Sequence, residues 1–219
     1  MRLCCATVRV MQILLTGFEP FGGSSFNPSS ALVAAFAAEG LLGCVLTTAI
    51  LPVIGGDGPT SARAELRRAI EAHQPHTVVC LGEASKATHI AFERVAVNLR
   101  DERIADNAGR QCRDEPVVAG GPAAYFSTLP TRAMRDACEG EGVPALLSMS
   151  AGSFTCNEIF YDLLHASSIG DFSTVRRGGF IHLPQLPEQA AVRGGTSISL
   201  EHLMLGVRSS LRELILPLG

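Results

Sequence analysis

The chain has 219 residues, yet it contains no tryptophan, only 12 aromatic residues, and a charged fraction of just 18%. That fraction lies below the typical ~25% and excludes a disordered, heavily solvated chain. It also leaves apolar surface for a partner subunit to cover. The formal net charge of −3 offers no electrostatic reason to bind nucleic acid or an anionic membrane. Lys86 is the single lysine among the basic residues, and by itself it points to no function. Long apolar runs are missing too. The most hydrophobic stretch, 31–56, is broken by Glu39, Thr47, Thr48, Pro52 and four glycines, whereas a spanning helix needs ~20 continuous apolar residues. The run Met11 to Leu15 is too short for a signal sequence and leads into Gly17-Phe18-Glu19-Pro20, with no small-residue cleavage site. A cytoplasmic protein with reduced thiols is expected. None of the seven cysteines forms a C-x-x-C pair, which removes the zinc and thioredoxin templates. The glycine-rich phosphate fingerprints are absent as well.

What is present alternates between strand and helix patterns. Apolar runs at Met11 to Thr16, Cys44 to Val53, Thr77 to Leu81, Ala145 to Met149 and Gly179 to Leu183 read as strands. Ala91 to Leu99 alternates as one further strand, with Glu93 on its otherwise apolar side. Helices are expected over Ser29 to Ala38, Gly58 to His73, Thr131 to Glu141, Asn157 to Ser167 and Ile198 to Ile215. The last carries Leu200, Leu203, Val207, Leu211 and Leu214 on one stripe. Arg100 to Gly121 reads as a long loop, of a length that is usually functional or disordered. The pattern predicts an α/β fold: one three-layer αβα domain over residues 11–219, built on a mainly parallel twisted sheet, behind an N-terminal extension of residues 1–10. Ligands of such sheets sit beyond the carboxyl ends of the strands. The Gly17 loop, Gly82-Glu83, the segment Gly152 to Cys156 and His182 all fall there.

Three of these residues carry the elements of nucleophilic chemistry. Cys156 opens a helix, where the positive end of the dipole favours a thiolate and free backbone N–H groups can hold an oxyanion. An average cysteine is instead a small buried hydrophobe, as Cys44 and Cys80 are read here. His182, near the end of its strand and before Pro184, faces the same mouth of the sheet and is the candidate base. A Cys–His pair needs a polar orienter. Glu93 fits as a carboxylate in an apolar strand; the competing readings are a structural ion pair of Glu93 with Arg94 or Arg103, and Asp106 as orienter. Phe18, Phe21 and Phe26 crowd one glycine-rich loop, where they either plug the domain edge or wall an apolar pocket.

With these residues in view, the chain from about Met11 to its last helix resembles pyroglutamyl peptidase I, a cysteine peptidase family. The resemblance rests on Leu15-Thr-Gly-Phe-Glu-Pro-Phe-Gly-Gly with Asn27-Pro28-Ser29, on Glu93-Arg-Val-Ala-Val-Asn, and on Gly120-Gly-Pro-Ala-Ala-Tyr-Phe. Ser150-Ala-Gly-Ser-Phe-Thr-Cys-Asn and Gly178-Gly-Phe-Ile-His-Leu-Pro with Pro187-Glu-Gln complete it. It implies Cys156 as nucleophile, His182 as base and Glu93 as orienter. It further implies that Phe18 and Phe21 wall a pyroglutamyl ring, that Asn27, Ile104 and Phe154 belong to the binding region, and that Arg103 and Asp106 support it electrostatically. The implied substrate is a peptide with N-terminal pyroglutamate, cleaved through a thioacyl-enzyme without metal or other cofactor by a homotetramer. Three positions depart from the family pattern. Glu83-Ala-Ser-Lys-Ala stands where a Gln-Ala-Gly-Gly-Arg-like segment is usual, which puts a carboxylate beside the lactam region; Glu158 replaces a histidine and Gln185 a tyrosine. An acylamide or lactam hydrolase of altered specificity, or a non-catalytic binding protein on the same scaffold, are the alternatives.

Overall fold

A computed structural model describes residues 10–215; the proposed extension over residues 1–10, with Cys4 and Cys5, lies outside the described residues but for Val10. Eight strands and six helices follow in the order β1 (Met11–Phe18), α1 (Pro28–Glu39), β2 (Cys44–Leu51), α2 (Ala62–His73), β3 (Thr77–Glu83), β4 (Ile90–Glu93), β5 (Val95–Val97), β6 (Ala124–Phe126), α3 (Thr131–Gly140), β7 (Ala145–Ser148), α4 (Thr155–Ile169), β8 (Arg177–Leu183), α5 (Pro187–Arg193) and α6 (Leu200–Arg212). Six strands form the main sheet in the order β2-β1-β3-β8-β4-β7. The α/β reading therefore holds. Alternate residues of each central strand serve opposite faces. Ile13, Leu15, Val79, Leu81 and Ile181 join a cluster with Leu32, Phe36, Met134 and the α6 stripe. Leu14, Val78, Cys80 and Phe180 join a second cluster with Leu66, Ile70, Ile159 and Leu163 of α2 and α4.

The sheet is parallel except at one seam. Strands β1, β2, β3 and β8 run together, while β4 is antiparallel to β8 and parallel to β7. The single strand expected over Ala91 to Leu99 is broken at Arg94. Its N–H donates to Ser148 O in β7 and its carbonyl accepts from Ser127 N–H, so the backbone changes partners there. Beyond that residue β5 pairs with β6 in a separate two-stranded sheet. Strand β6 and helix α5 are too short for a periodic signal and were not expected.

Local chemistry sets the boundaries. Helix α2 begins at Ala62 rather than Gly58, because Ser61 Oγ accepts the Ala64 N–H and acts as its cap; Pro59 lies in the turn before it. The β1–α1 loop is pinned by Ser29 Oγ, which accepts the Phe18 N–H at 2.9 Å. A Cβ on Gly17 would lie 2.7 Å from the Ser29 carbonyl, so only glycine permits this approach. Segment 100–121 is ordered by acidic groups. Asp106 accepts from the N–H groups of Gly55, Ala108 and Arg110, and Glu102 accepts from Cys112 N–H and Arg100. Cys44, expected within a strand core, is half-buried at the start of β2.

Helix α6 packs with α1 and α3 over one sheet face, with Leu203, Val207 and Leu211 fully buried. Leu211→Ala is expected to destabilise the protein by about 3 kcal/mol, the middle of the range for buried leucine truncations. A urea unfolding curve that shifts by less than 1 kcal/mol would show that α6 is not part of the cooperative core.

Candidate active site

His182 and Glu93 meet because of the antiparallel seam. Ala91 lies opposite His182 and Glu93 opposite Phe180, so Glu93 is the diagonal neighbour of His182 on the same face, within reach of a long side chain. His182 Nδ1 lies 2.8 Å from Glu93 Oε1. A carboxylate only accepts, so the proton is assigned to Nδ1, and the other ring nitrogen is left for the Cys156 sulfur. Both residues are buried. Glu93 Oε2 has no hydrogen-bond partner, so the buried carboxylate depends on the imidazole, and burial of an unmatched charge is costly. The Phe180 ring, centroid 4.8 Å from that of His182, fixes the imidazole from the side.

Cys156 is the second residue of α4. No side chain caps this helix, and the first intrahelical N–H bond runs from Glu158 to Phe154 O. The preceding N–H groups stay free, as the first turn of any helix leaves them. The sulfur lies over Gly82 of β3: a Cβ there would be 2.9 Å from Sγ and 2.7 Å from the Phe180 ring. The sequence places Gly82-Glu83 at the mouth of the sheet, but the requirement for glycine at 82 appears only when β3 and α4 are in contact. Asn157 ties the helix start to β5, its amide donating to Val97 O and Leu99 O and accepting from Val97 N–H.

Burial opposes charge on His182, but the Cys156 sulfur, by charge and hydrogen bond, and then Glu93 outweigh it and push the imidazole up to about 10. The arrangement therefore favours an imidazolium at His182. Burial pushes Cys80 and Cys138 up to about 12, and raises Cys44 and Cys112 as well.

The expected wall residues separate into groups. Phe18, Phe21, Asn27, Glu83 and Phe154 line a narrow recess beside Cys156. Phe21, Glu83, Ile104, Phe154, Cys156 and His182 also border an open cleft of about 320 Å³. The Phe21 and Phe154 rings are 6.1 Å apart and tilted. Asn27 is engaged by the protein: it caps α1 through Ser29 N–H and Ser29 Oγ, and donates to Glu19 O. Glu83 accepts from Gln189 Nε2 at 3.0 Å and from Arg193 Nη1 at 2.7 Å, so α5 supplies its counter-charge. Asp106 does not orient His182; it organises segment 100–110 and pairs with Arg110. Neither Arg94 nor Arg103 pairs with Glu93. Glu158 turns away from the cleft and is fully buried, accepting from Gly56 N–H at 2.7 Å beside Arg100; burial raises it in spite of Arg100. Gln185 is also internal and donates to Gly194 O and Thr196 O. Among the described residues, no cluster of three or more His, Cys, Asp or Glu side chains is placed to hold a metal ion.

Gly82→Ala is expected to push the sulfur away from His182 while leaving the sheet intact. Alkylation of Cys156 by iodoacetamide at pH 7 should slow by about tenfold or more, about 1.4 kcal/mol, with an unchanged circular dichroism spectrum. An unaltered alkylation rate would remove Gly82 from the site.

Comparison with known proteins points to one family. The family model described as pyroglutamyl peptidase matches residues 11–215. The chain is 47% identical over 199 residues to a pyrrolidone-carboxylate peptidase of Vibrio vulnificus (strain CMCP6), covering 90% of this chain and 89% of the relative. It is 44% identical over 205 residues to one from Gloeobacter violaceus, covering 93% and 97%. The crystal structure of pyroglutamyl peptidase I from Bacillus amyloliquefaciens superposes with a TM-score of 0.89 at 36% identity, over 95% of this chain and 96% of that one. With the model match spanning nearly all of the described residues, the chain belongs to the pyroglutamyl peptidase family.

Proposed function

We propose that this protein is a cysteine exopeptidase that removes an N-terminal pyroglutamyl residue from peptides. The observation that carries the reading is the buried Glu93–His182 contact beside Cys156 at the mouth of a phenylalanine-walled recess. Residues 11–219 act as one catalytic domain in this reading, preceded by the extension 1–10.

The Cys156 proton resides on His182, and the thiolate attacks the carbonyl that joins pyroglutamate to the next residue. Free N–H groups in the first turn of α4 take the developing oxyanion. The imidazolium, held by Glu93, passes its proton to the departing amine as the C–N bond breaks, leaving a thioester. Water, deprotonated by His182, attacks that thioester and releases pyroglutamate with the thiol restored. The lactam is neutral and compact, which suits a recess walled by Phe18, Phe21 and Phe154; a charged amine terminus would lose its hydration there. Asn27, Glu83 and Ile104 complete the binding region. Arg193 matches the charge of Glu83 and Gln189 donates to it, while Glu158 and Gln185 lie inside the fold. The three departures from the family pattern therefore leave the reacting groups undisturbed. The expected homotetramer fits exposed apolar side chains such as Phe126, Leu146 and Met149, which partner subunits would cover. Cytoplasmic location belongs to the same reading; no described helix is long and apolar enough to cross a membrane.

Reduced wild-type protein should hydrolyse a pyroglutamyl-arylamide, and Cys156→Ser should lose at least about 10³-fold in kcat. Absence of wild-type turnover would overturn the reading, and activity surviving in the serine variant would remove Cys156 from its role. A tenfold or greater gain in Glu83→Gln would instead favour a hydrolase of altered specificity.

The pH profile follows from the direction of the His182 shift. Raised from 6.5 to about 10, the imidazolium contributes stability that is complete below the unfolded value and is lost as pH rises through about 10. Both unfolding free energy and kcat/KM are expected to fall on that alkaline limb. Glu93→Gln removes the negative charge, lowers the His182 value, and should move the limb to lower pH while reducing kcat by about 10²- to 10⁴-fold. An alkaline limb at the same pH in Glu93→Gln and wild type would show that Glu93 does not hold the imidazole.

A further inference from the structure

The recess accounts for the lactam, but the open cleft beside it extends past Cys156 and His182 to a different set of side chains. Lys86, the single lysine of the chain, and Arg103 both border it. Both are exposed. Neither is drawn into an ion pair among the described residues, whereas their neighbours Arg100, Arg110 and Arg113 are matched by Glu102, Asp106 and Asp101. The one carboxylate among the residues lining the cleft is Glu83, already matched by Arg193 and hydrogen-bonded by Gln189. The unmatched charge at the cleft mouth is thus positive, in a chain whose overall charge is −3.

We infer that Lys86 and Arg103 form a leaving-group subsite that recognises a carboxylate within one residue of the scissile bond. The preferred substrates are then short acidic ones: pyroglutamyl amino acids with a free C-terminal carboxylate, or peptides with an acidic side chain directly after the lactam. This rests on the peptidase reading and adds the specificity of its second half. The lactam is uncharged and draws nothing from the two cations. The released amino acid or peptide carries the carboxylate, and a positive cleft steers such a ligand inward. Exposed pairs of this kind are individually weak and are screened by salt. The expected preference is therefore moderate, about threefold to tenfold at low ionic strength.

The experiment compares kcat/KM for pyroglutamyl-alanine, pyroglutamyl-alaninamide and the α-amide of pyroglutamyl-glutamic acid, whose side-chain carboxylate is free, in dilute buffer and in 0.5 M salt (about 4 Å Debye length). A neutral pyroglutamyl-arylamide serves as reference. Wild type should favour the carboxylate substrates over the alaninamide, with the difference collapsing in salt. A preference confined to pyroglutamyl-alanine would assign the subsite to the C-terminal carboxylate; one confined to the glutamyl compound would assign it to an acidic side chain. In a Lys86→Ala/Arg103→Ala double variant the ratio should approach one, and in Lys86→Glu it should fall below one. Equal rates for all three substrates in wild type, or a ratio unmoved by the double variant, would overturn the subsite while arylamide turnover still upheld the peptidase reading. Calorimetric binding of all three compounds to Cys156→Ser reads the same ratios without turnover. Equal Kd values for all three would also overturn the subsite.

Discussion

A buried carboxylate facing a buried imidazole across two antiparallel strands is the interaction on which the rest of the site depends. Glu93 has one oxygen on His182 and none of its remaining acceptor capacity satisfied by another side chain. Inside the sheet such a charge persists only if the imidazole is cationic or donates a strong hydrogen bond. This fixes the tautomer and orientation of His182, and through the ring's other nitrogen it fixes the place of the sulfur. Were β4 parallel to β8, the diagonal relation that brings residues 93 and 182 together would not exist. The one antiparallel seam in an otherwise parallel arrangement is thus what builds the site.

The surrounding fold isolates this contact. Gly82 clears space for the sulfur above β3, Asn157 holds the start of α4 against β5, and the Phe180 ring seals the imidazole. A second set of buried acids, Glu102, Asp106 and Glu158, shapes the loops around the cleft through backbone N–H groups and Arg100. These acids stay apart from Glu93 and His182, so one polar network governs loop shape and another holds the imidazole.

Much of the fold was legible because the strands are buried and the long helices amphipathic. The five short apolar runs became β1, β2, β3, β7 and β8, and the stripe from Leu203 to Leu211 lies on the sheet. The break at Arg94 was not legible. The alternation of side chains continues through it, while the change of backbone partner depends on β7 and on the segment before β6, both distant in sequence. The start of α2 was placed too early because Pro59 resembles a first-turn proline, whereas the capping hydroxyl belongs to Ser61. Glu83 illustrates the same limit. Its charge stands out in the sequence, but the groups that neutralise it come from a seven-residue helix about a hundred residues away.

The amino-acid sequence by itself determined the α/β class, the stretches that are buried, and Cys156 and His182 as a candidate pair whose orienter is Glu93 or Asp106. Each of these follows from periodicity or from a side chain standing in a local context that does not suit it. Tertiary structure alone decided that Asp106 serves a loop and Glu93 the histidine, that Asn27 caps a helix at the edge of the recess, and that Glu83 is matched by Arg193. It also placed Lys86 and Arg103 on one cleft. Those outcomes depend on which strands pair, and in which direction, because hydrogen bonds and ion pairs act over a few ångströms of space irrespective of separation along the chain.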